Sequence, residues 1–203
     1  RLRGGRVGDP LVAREVLLGL AIGLGLWLVL ELPRLALPPG AIYQGTDWVR
    51  ADLLLGPAHY VLTLPNVMVN SALAGMGVLL ILLLLRLLLR VRWLVALVFV
   101  AIQGGLPMLM NLDEPYAGVI AARMLINAVV VLLVVVRGGA LMMMAVQFSV
   151  LVAMWYPLTI DQSRFYAAAS TVGMLSVIGL AALAAHYASS RGVAMPRPQP
   201  ATA

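Results

Sequence analysis

Long uncharged stretches alternate with short charged segments along this chain. The longest begins after Asp52: no charged residue occurs from position 53 to position 85, and Arg86, Arg90 and Arg92 then follow within seven positions. A long apolar stretch closed by arginines is typical of a membrane helix that meets the cytoplasmic surface. This segment is therefore the reference from which the orientation of the other segments is predicted.

Six such stretches predict an all-α integral membrane protein with about six transmembrane helices. The predicted spans are 16–30, 66–89, 93–112, 116–136, 140–156 and 165–187. The first has only fifteen residues, about 22 Å of helix, so it needs its flanking residues to cross a bilayer. We predict a basic cytoplasmic segment over 1–10, a membrane domain over 11–188 and a disordered cytoplasmic tail over 189–203.

Prolines shape the connection between the first two spans. Leu32-Pro33 and Pro38-Pro39 end the first helix, and Pro57 and Pro65 precede the second. Within this connection, residues 47–55 mix charged residues, a tryptophan and leucines. This pattern predicts an interfacial helix in the first outer loop.

The arginines are distributed unequally between the two predicted sides of the membrane. Six spans place both termini on one side, which carries ten arginines: Arg1, Arg3, Arg6, Arg14, Arg86, Arg90, Arg92, Arg137, Arg191 and Arg197. The opposite side carries Arg34, Arg50, Arg123 and Arg164, together with six of the eight acidic residues. Since arginine-rich loops remain in the cytoplasm, both termini are predicted to lie inside.

The composition agrees with a membrane protein and argues against several classes of function. Of the 203 residues, 63% are hydrophobic and 11% are charged, with a mean hydropathy of +1.01, whereas about 25% of a soluble domain is charged. The absence of cysteine excludes disulfides, thiolate metal sites and cysteine nucleophiles. No basic patch interleaved with aromatic residues indicates nucleic-acid binding, and no HExxH, GxSxG or P-loop motif indicates an enzyme. We predict no catalytic residue, no metal site and no nucleic-acid partner.

His59 and His186 are the only histidines. They are predicted at opposite membrane faces, so they would not share a metal ion. Either one could ligate a pigment such as chlorophyll or haem, although an interfacial histidine is more often solvated or hydrogen-bonded. We predict no cofactor, with contact to a pigment or a lipid left open.

Arg123 is the one charged residue predicted inside a span. It follows Tyr116 by seven residues, about 10 Å along a helix. Its side chain could reach Asp113 or Glu114 at the outer interface and anchor the helix, or it could bind an anion or a substrate. The anchoring role is favoured.

Several amides also fall within predicted spans. Asn127 is one turn deeper than Arg123 on the same face, Asn66 and Asn70 have a similar spacing in the second span, and Gln103 interrupts the third. Such amides usually bond between helices. Alternatively, a polar path near Arg123 could be lined by Asn70, Gln103, Arg123, Asn127 and Gln147.

Small residues predict where helices approach closely. Gly19 and Gly23 form a GxxxG pattern in the first span, and the sixth span is rich in alanine, glycine and serine. Small residues let two helix backbones approach closely in a membrane. We therefore expect Gly19 and Gly23 to be helix-packing positions.

Two short motifs lie at the starts of the first and the last predicted spans. They are the sequence Gly8-Asp9-Pro10-Leu11-Val12-Ala13-Arg14-Glu15-Val16-Leu17, and Tyr156-Pro157-Leu158-Thr159-Ile160-Asp161 with Phe165-Tyr166. Both resemble the multi-span membrane region that follows the catalytic domain in some bacterial serine/threonine protein kinases, which implies a location in a bacterial cytoplasmic membrane. No glycine-rich ATP loop, HRD-type loop or DFG-type motif occurs in this chain. The resemblance therefore implies anchoring or sensing next to a cytoplasmic kinase domain, with no phosphorylation by this chain itself.

Two functional hypotheses follow from the sequence. The first is a non-catalytic membrane anchor or sensor module, or an accessory subunit of a membrane complex, whose partners are the bilayer and either other membrane subunits or a cytoplasmic domain. The alternative is a small transporter or channel with a polar path near Arg123, although no inverted repeat supports it. An intramembrane enzyme is the least favoured class.

Overall fold

The structure is a computed structural model that describes residues 10–32, 56–109, 116–156, 159, 161, 163, 164 and 166–189. These residues form helices and connecting turns. The helices are α1 (Pro10–Glu31), α2 (Pro57–Leu88), α3 (Arg92–Val100), a π-helix (Ala101–Gly105), α4 (Leu106–Leu109), α5 (Ala117–Trp155) and α6 (Ala167–Ser189). By length and composition, five stretches are long and apolar enough to cross a membrane: Leu11–Glu31, Ala58–Leu88, Arg92–Leu109, Ala117–Trp155 and Ala167–Ser189. The prediction of an all-α, membrane-embedded protein is confirmed at this level.

The second helix begins nine residues earlier than the predicted span. It starts at Pro57, and Pro65 lies inside it. Pro57 is favourable in the first turn because the N–H that proline lacks has no intrahelical partner there. Pro65 removes one backbone hydrogen bond, but the long apolar stretch that follows keeps the chain helical. The predicted start at Asn66 is therefore wrong.

The third apolar segment contains a π-helix where the sequence predicted an interruption. Ala101–Gly105 continue α3 directly into α4. Gly104 is buried in this turn, and a Cβ built on it would lie 3.2 Å from the carbonyl oxygen of Met124 and 3.4 Å from Cβ of Ala128. Glycine thus lets the π-helix approach α5 closely without ending the helix.

Helix α5 consists of two segments that meet at Gly139. This residue has φ 82° and ψ −162°, which is not a helical conformation. Residues with a Cβ rarely adopt this backbone conformation. We call residues 117–138 α5a and residues 140–155 α5b. The sequence predicts two spans over this stretch, 116–136 and 140–156, whereas by length and composition Ala117–Trp155 counts as one candidate span.

Contacts with α1 establish that the chain reverses at Gly139. Gly23 lies against Ser149 of α5b, whereas Glu31 contacts Arg123 of α5a. Gly23 and Glu31 are separated by about 12 Å along α1, whereas Arg123 and Ser149 would be about 39 Å apart in a straight helix. α5a and α5b must therefore run in opposite directions for both residues to reach α1.

The buried residues form two apolar clusters that share α5b. One cluster joins α1, α2, α3 and both halves of α5 around Phe99 and Met143, each with 0% exposure. The other joins α1, α2, α5b and α6 around Val67 and Tyr156. α5b is therefore the centre of the helix bundle.

Large apolar side chains are exposed around this bundle. Leu62, Leu73, Leu83 and Leu87 of α2 are each more than 60% exposed. An aqueous surface rarely tolerates so many contiguous apolar side chains, whereas a lipid environment favours them.

Three parts of the prediction fall outside the described residues. These are most of the basic segment 1–10, the interfacial helix at 47–55, and the tail 190–203.

Candidate functional site

The most buried charged group of the described residues is Arg123 on α5a. The residue is 8% exposed, and its Nη2 donates a hydrogen bond to Oε1 of Glu31 at 3.2 Å. The side chain of Glu31 is 25% exposed. Glu31 is the last residue of α1, so this ion pair ties the end of α1 to α5a.

Asp113 and Glu114, the partners predicted for Arg123 from the sequence, lie outside the described residues. Among the described residues, Glu31 supplies a carboxylate to Arg123, a contact that was not predicted from the sequence. The predicted topology already placed Glu31 and Arg123 on the same outer side, which was the signal that could have revealed the pair.

Gly19 and Gly23 lie at a close contact between α1 and α5b. A Cβ on Gly19 would lie 2.6 Å from both Cβ of Ala145 and the carbonyl oxygen of Met142, and a Cβ on Gly23 would lie 2.5 Å from the carbonyl oxygen of Val146. These distances are too short for any larger residue without movement of the backbone. α1 and α5b run parallel here, since both contacts advance by four residues.

Ser149 of α5b faces Gly23 and has its own hydrogen bonds. Its hydroxyl lies 3.1 Å from the carbonyl oxygen of Ala145 and 3.0 Å from that of Val146. A fully buried hydroxyl is therefore satisfied within its own helix. The contact between Gly23 and α5b is therefore one of van der Waals packing.

The predicted polar residues of the third and fourth spans lie at neighbouring levels. Gln103 is in the π-helix, whose Gly104 contacts Met124 and Leu125, and Asn127 is half-buried two residues further along α5a. Within the described residues, neither amide side chain forms a hydrogen bond with another residue. The structure brings the two backbones together without joining the amides.

Asn66 and Asn70 bond to each other within α2. Nδ2 of Asn70 donates to the backbone oxygen of Asn66 at 2.8 Å and to its Oδ1 at 2.6 Å. The predicted hydrogen bonding between helices is wrong for this pair, because both hydrogen bonds stay within α2 and Asn66 is exposed.

The two histidines are near opposite ends of the bundle. His59 is half-buried in the first turn of α2, next to Tyr60, whose backbone oxygen accepts a hydrogen bond from Tyr156 Oη at 2.7 Å. His186 is exposed in the last turn of α6, and its ring lies edge-on to Tyr187 with a centroid separation of 5.9 Å. Among the described residues, no group of three potential metal ligands occurs.

We call the end of the bundle that contains Glu31, Arg123 and Tyr156 the Glu31 end. A short connection there is ordered by hydrogen bonds: the Ser170 hydroxyl donates to the backbone oxygen of Thr159 at 2.9 Å and accepts from its N–H at 2.8 Å. Nearby, Nε of Arg164 lies 3.0 Å from Oδ2 of Asp161. The Ser163 hydroxyl and N–H, followed by Arg164, hold the pKa of Asp161 below its usual range.

The opposite end, which we call the Arg86 end, carries Arg86, Arg90 and Arg92. All three are exposed: Arg86 is in the last turn of α2, Arg90 is in the connection, and Arg92 is the first residue of α3. A cavity of about 650 Å³ is lined by these arginines and by apolar residues of α2, α3 and α5a.

Two further cavities lie between the described helices. One of about 240 Å³ is lined by residues of α1, α2, α5b and α6, and one of about 200 Å³ by residues of α2 and α5a. None of the five polar residues predicted to form a path lines any of these three cavities: Asn70, Gln103, Arg123, Asn127 and Gln147. These five residues therefore do not share one of the three cavities as a common lining.

The chain matches no protein-family model, no curated protein sequence and no solved structure. The class follows from the described residues, which are helical and include five helices that are long and apolar enough to cross a bilayer, as in a membrane-embedded protein.

Proposed function

We propose that this chain is a non-catalytic membrane anchor or sensor module that holds a cytoplasmic domain at the N-terminal side of α1. The observation that carries the proposal is the way α1 is fixed. It is held against α5b by the contact at Gly19 and Gly23, and against α5a by the ion pair of Glu31 and Arg123. A domain joined ahead of α1 would be attached to a helix that contacts both halves of the longest helix.

The proposal includes six membrane spans with both termini in the cytoplasm of a bacterium. The reversal at Gly139 supports six spans, because α5a and α5b would each cross once. The arginines at the Arg86 end support the orientation: Arg86, Arg90, Arg92 and Arg137 lie there, as does Arg14 near the start of α1. Arginine-rich ends of membrane helices stay in the cytoplasm.

We further propose that the anchored domain is a serine/threonine kinase domain. The support is the resemblance of residues 8–17, and of residues 156–161 with Phe165-Tyr166, to the membrane region of such kinases. Of the second motif, Tyr156 is 1% exposed and donates a hydrogen bond to the backbone oxygen of Tyr60. Thr159 of the same motif is hydrogen-bonded to Ser170 of α6.

The geometry favours an anchor over a small transporter. The charge that would line a polar path, Arg123, is engaged with Glu31, and the three cavities are lined by none of the other polar candidates. An anchor needs no polar path, only a stably packed bundle, which the two apolar clusters that share α5b supply.

Fusion of a reporter and labelling of single cysteines test the anchor. A fluorescent protein that folds only in the cytoplasm, fused ahead of Arg1, should fluoresce and remain in the membrane fraction. Because the chain has no cysteine, Ser163→Cys and Arg137→Cys can be labelled individually with an impermeant maleimide. We expect Ser163→Cys to react in intact spheroplasts and Arg137→Cys to react only after permeabilisation. A dark N-terminal fusion, or reaction of Arg137→Cys from outside, would contradict the proposed orientation.

Reconstitution distinguishes the anchor from the transporter. In liposomes, the protein should carry no flux of potassium, chloride or amino acids under an imposed gradient. A flux that is lost in Arg123→Ala would contradict the anchor and support the transporter. Stable copurification with a membrane complex, without any cytoplasmic domain in the same polypeptide, would instead support the accessory subunit.

A further inference from the structure

The cavity at the Arg86 end combines positive charge with an apolar wall. It lies between α2, α3 and α5a and has a volume of about 650 Å³. Arg86, Arg90 and Arg92 line it at the end of the bundle, and Val95, Leu132 and Val136 line its apolar side. A ligand of this space would therefore need both an anionic group and hydrocarbon.

The positive charge of the cavity is not neutralised by neighbouring described residues. No described carboxylate lies within 4.0 Å of Arg86, Arg90 or Arg92; the described ion pairs involve Arg123 and Arg164. The sequence contains no acidic residue between Asp52 and Asp113. Three arginines at this spacing therefore attract an anion, and their guanidinium groups can form paired hydrogen bonds with phosphate oxygens.

The start of α3 adds backbone donors to the same place. Arg92 is the first residue of α3, and no side chain caps this helix. The first N–H groups of a helix have no intrahelical acceptor and carry a partial positive charge. This feature reinforces the arginines next to it.

The apolar wall continues away from the arginines into a second cavity. This cavity of about 200 Å³ shares Leu82, Arg86 and Val136 with the first and reaches Leu79. Leu79 precedes Arg86 by seven residues, about 10 Å along α2. The lining thus changes from charged to apolar along the helix, in the direction from the membrane surface to the membrane interior.

We propose that this cavity binds one anionic phospholipid, with the phosphate on Arg86, Arg90 and Arg92 and an acyl chain along Leu82, Leu132 and Val136. A soluble phosphate would match only the charged part, whereas a phospholipid of the surrounding leaflet matches both parts. Basic pockets between transmembrane helices on the cytoplasmic side are suited to such headgroups. The inference goes beyond the proposed anchor: it requires the Arg86 end to lie at a membrane surface but requires no attached domain.

Occupation by a lipid would join three elements. Its phosphate would contact the connection between α2 and α3, and its acyl chain would lie between α2 and α5a. A ligand that binds only the folded protein stabilises it. The lipid should therefore raise the unfolding temperature, and the effect should weaken with increasing salt because its headgroup contact is electrostatic.

Native mass spectrometry and thermal unfolding test the proposal. The delipidated protein is titrated with phosphatidylglycerol or, as the uncharged comparison, phosphatidylcholine. We expect one phosphatidylglycerol to bind at least tenfold more tightly than phosphatidylcholine and to raise the unfolding temperature. The variant Arg86→Gln/Arg90→Gln/Arg92→Gln should lose this preference while its unfolding temperature in phosphatidylcholine stays close to that of the unmodified protein.

Matched variants separate a site from general attraction to a basic surface. Arg137→Gln removes an exposed arginine that does not line the cavity, so it should keep the lipid preference. Val136→Trp fills the apolar part and should weaken lipid binding with all three arginines present. If the triple variant fails to fold, Arg90→Gln alone should still weaken binding severalfold.

Three results would overturn the proposal. Equal binding of the two lipids would exclude headgroup recognition. An equal loss in Arg137→Gln and Arg90→Gln would assign the effect to general surface charge. Inorganic phosphate that stabilises the protein as much as phosphatidylglycerol would show a simple anion site without a lipid.

Discussion

α1 is held against the two halves of α5 by two different kinds of contact. Against α5b, Gly19 and Gly23 allow the backbones to approach with no polar bond between the helices. Against α5a, Glu31 and Arg123 form an ion pair at 3.2 Å. The glycine contact requires that residues 19 and 23 carry no Cβ, whereas the ion pair requires both charged side chains. Substitutions should therefore weaken the two contacts for different physical reasons.

The largest effect is expected when one member of the ion pair is removed. Arg123→Ala should destabilise the protein by about 3 kcal/mol, because the ion pair between α5a and the partly buried carboxylate of Glu31 is lost. Replacing both residues, as in Glu31→Met/Arg123→Met, should cost less than Arg123→Ala alone. Unfolding in mixed micelles with increasing SDS measures both variants.

The exposed ion pair provides the control for this prediction. Arg164→Ala breaks the contact with Asp161, but the side chain of Arg164 is 61% exposed. Water compensates the loss of an exposed partner, so this variant should unfold almost like the unmodified protein. Equal effects of Arg123→Ala and Arg164→Ala would mean that the buried pair does not hold α1.

The difference between the contacts also explains what the sequence could predict. The GxxxG pattern is local, so the glycines could be found from their spacing in one helix. The partner of Arg123 depends on the reversal at Gly139 and on the end of α1, ninety-two residues away in sequence. The sequence predicts that Glu31 and Arg123 lie on the same side of the membrane. It does not give the rotation of α1 and α5a about their axes, which decides whether the two side chains meet.

Helix boundaries show the same limit. The length of each apolar stretch is sufficient to predict the helices that could cross a membrane. From the sequence alone, however, Pro65 is expected to precede the second helix, and Gln103-Gly104-Gly105 to interrupt the third. In the structure, Pro65 lies within α2 and the glycine pair within a continuous π-helix. Packing against neighbouring helices overrides these local signals, and that packing cannot be read from a single stretch.

A smaller effect is expected from filling the glycine contact. Gly23→Leu should destabilise the protein by about 1–3 kcal/mol, because the added side chain must push α1 away from Val146 and Ser149. Gly25→Leu is the matched control, since Gly25 is exposed and a Cβ on it meets nothing within 4 Å. Unfolding of the two variants under the same conditions makes the comparison. Equal midpoints for Gly23→Leu and Gly25→Leu would show that α1 does not approach α5b closely.

The reversal that allows both contacts depends on Gly139. Gly139→Ala should cost about 1–3 kcal/mol, because alanine is strained at φ +82°. Gly179→Ala, in an open position on α6, should be neutral or slightly stabilising because alanine favours helix over glycine. Thermal unfolding in detergent compares the two. A neutral Gly139→Ala would indicate that the backbone does not adopt this conformation.

The smallest effect is expected from Asp161 at the Glu31 end. Its pKa is lowered in the folded protein, so its stabilising contribution is present above the pKa of the unfolded state and is lost as the pH falls through the lowered pKa. Asp161→Asn should slightly lower the unfolding temperature at neutral pH, where the contribution is present, and the two proteins should converge as the pH falls and the contribution is lost. Unfolding temperatures measured from neutral to acidic pH test this. An identical acid dependence in both proteins would contradict it.

The most direct test of the central claim is the distance between the start of α5a and the start of α6. Spin labels at Gly118→Cys and Ala168→Cys are both at exposed positions, and the chain has no other cysteine. If α5 folds back at Gly139, both labels lie at the Glu31 end, and double electron–electron resonance in nanodiscs should give a separation below about 30 Å, two to three helix diameters. A straight helix from residue 118 to residue 155 would be about 56 Å long, so a distance near that value would contradict the reversal and the six-span anchor built on it.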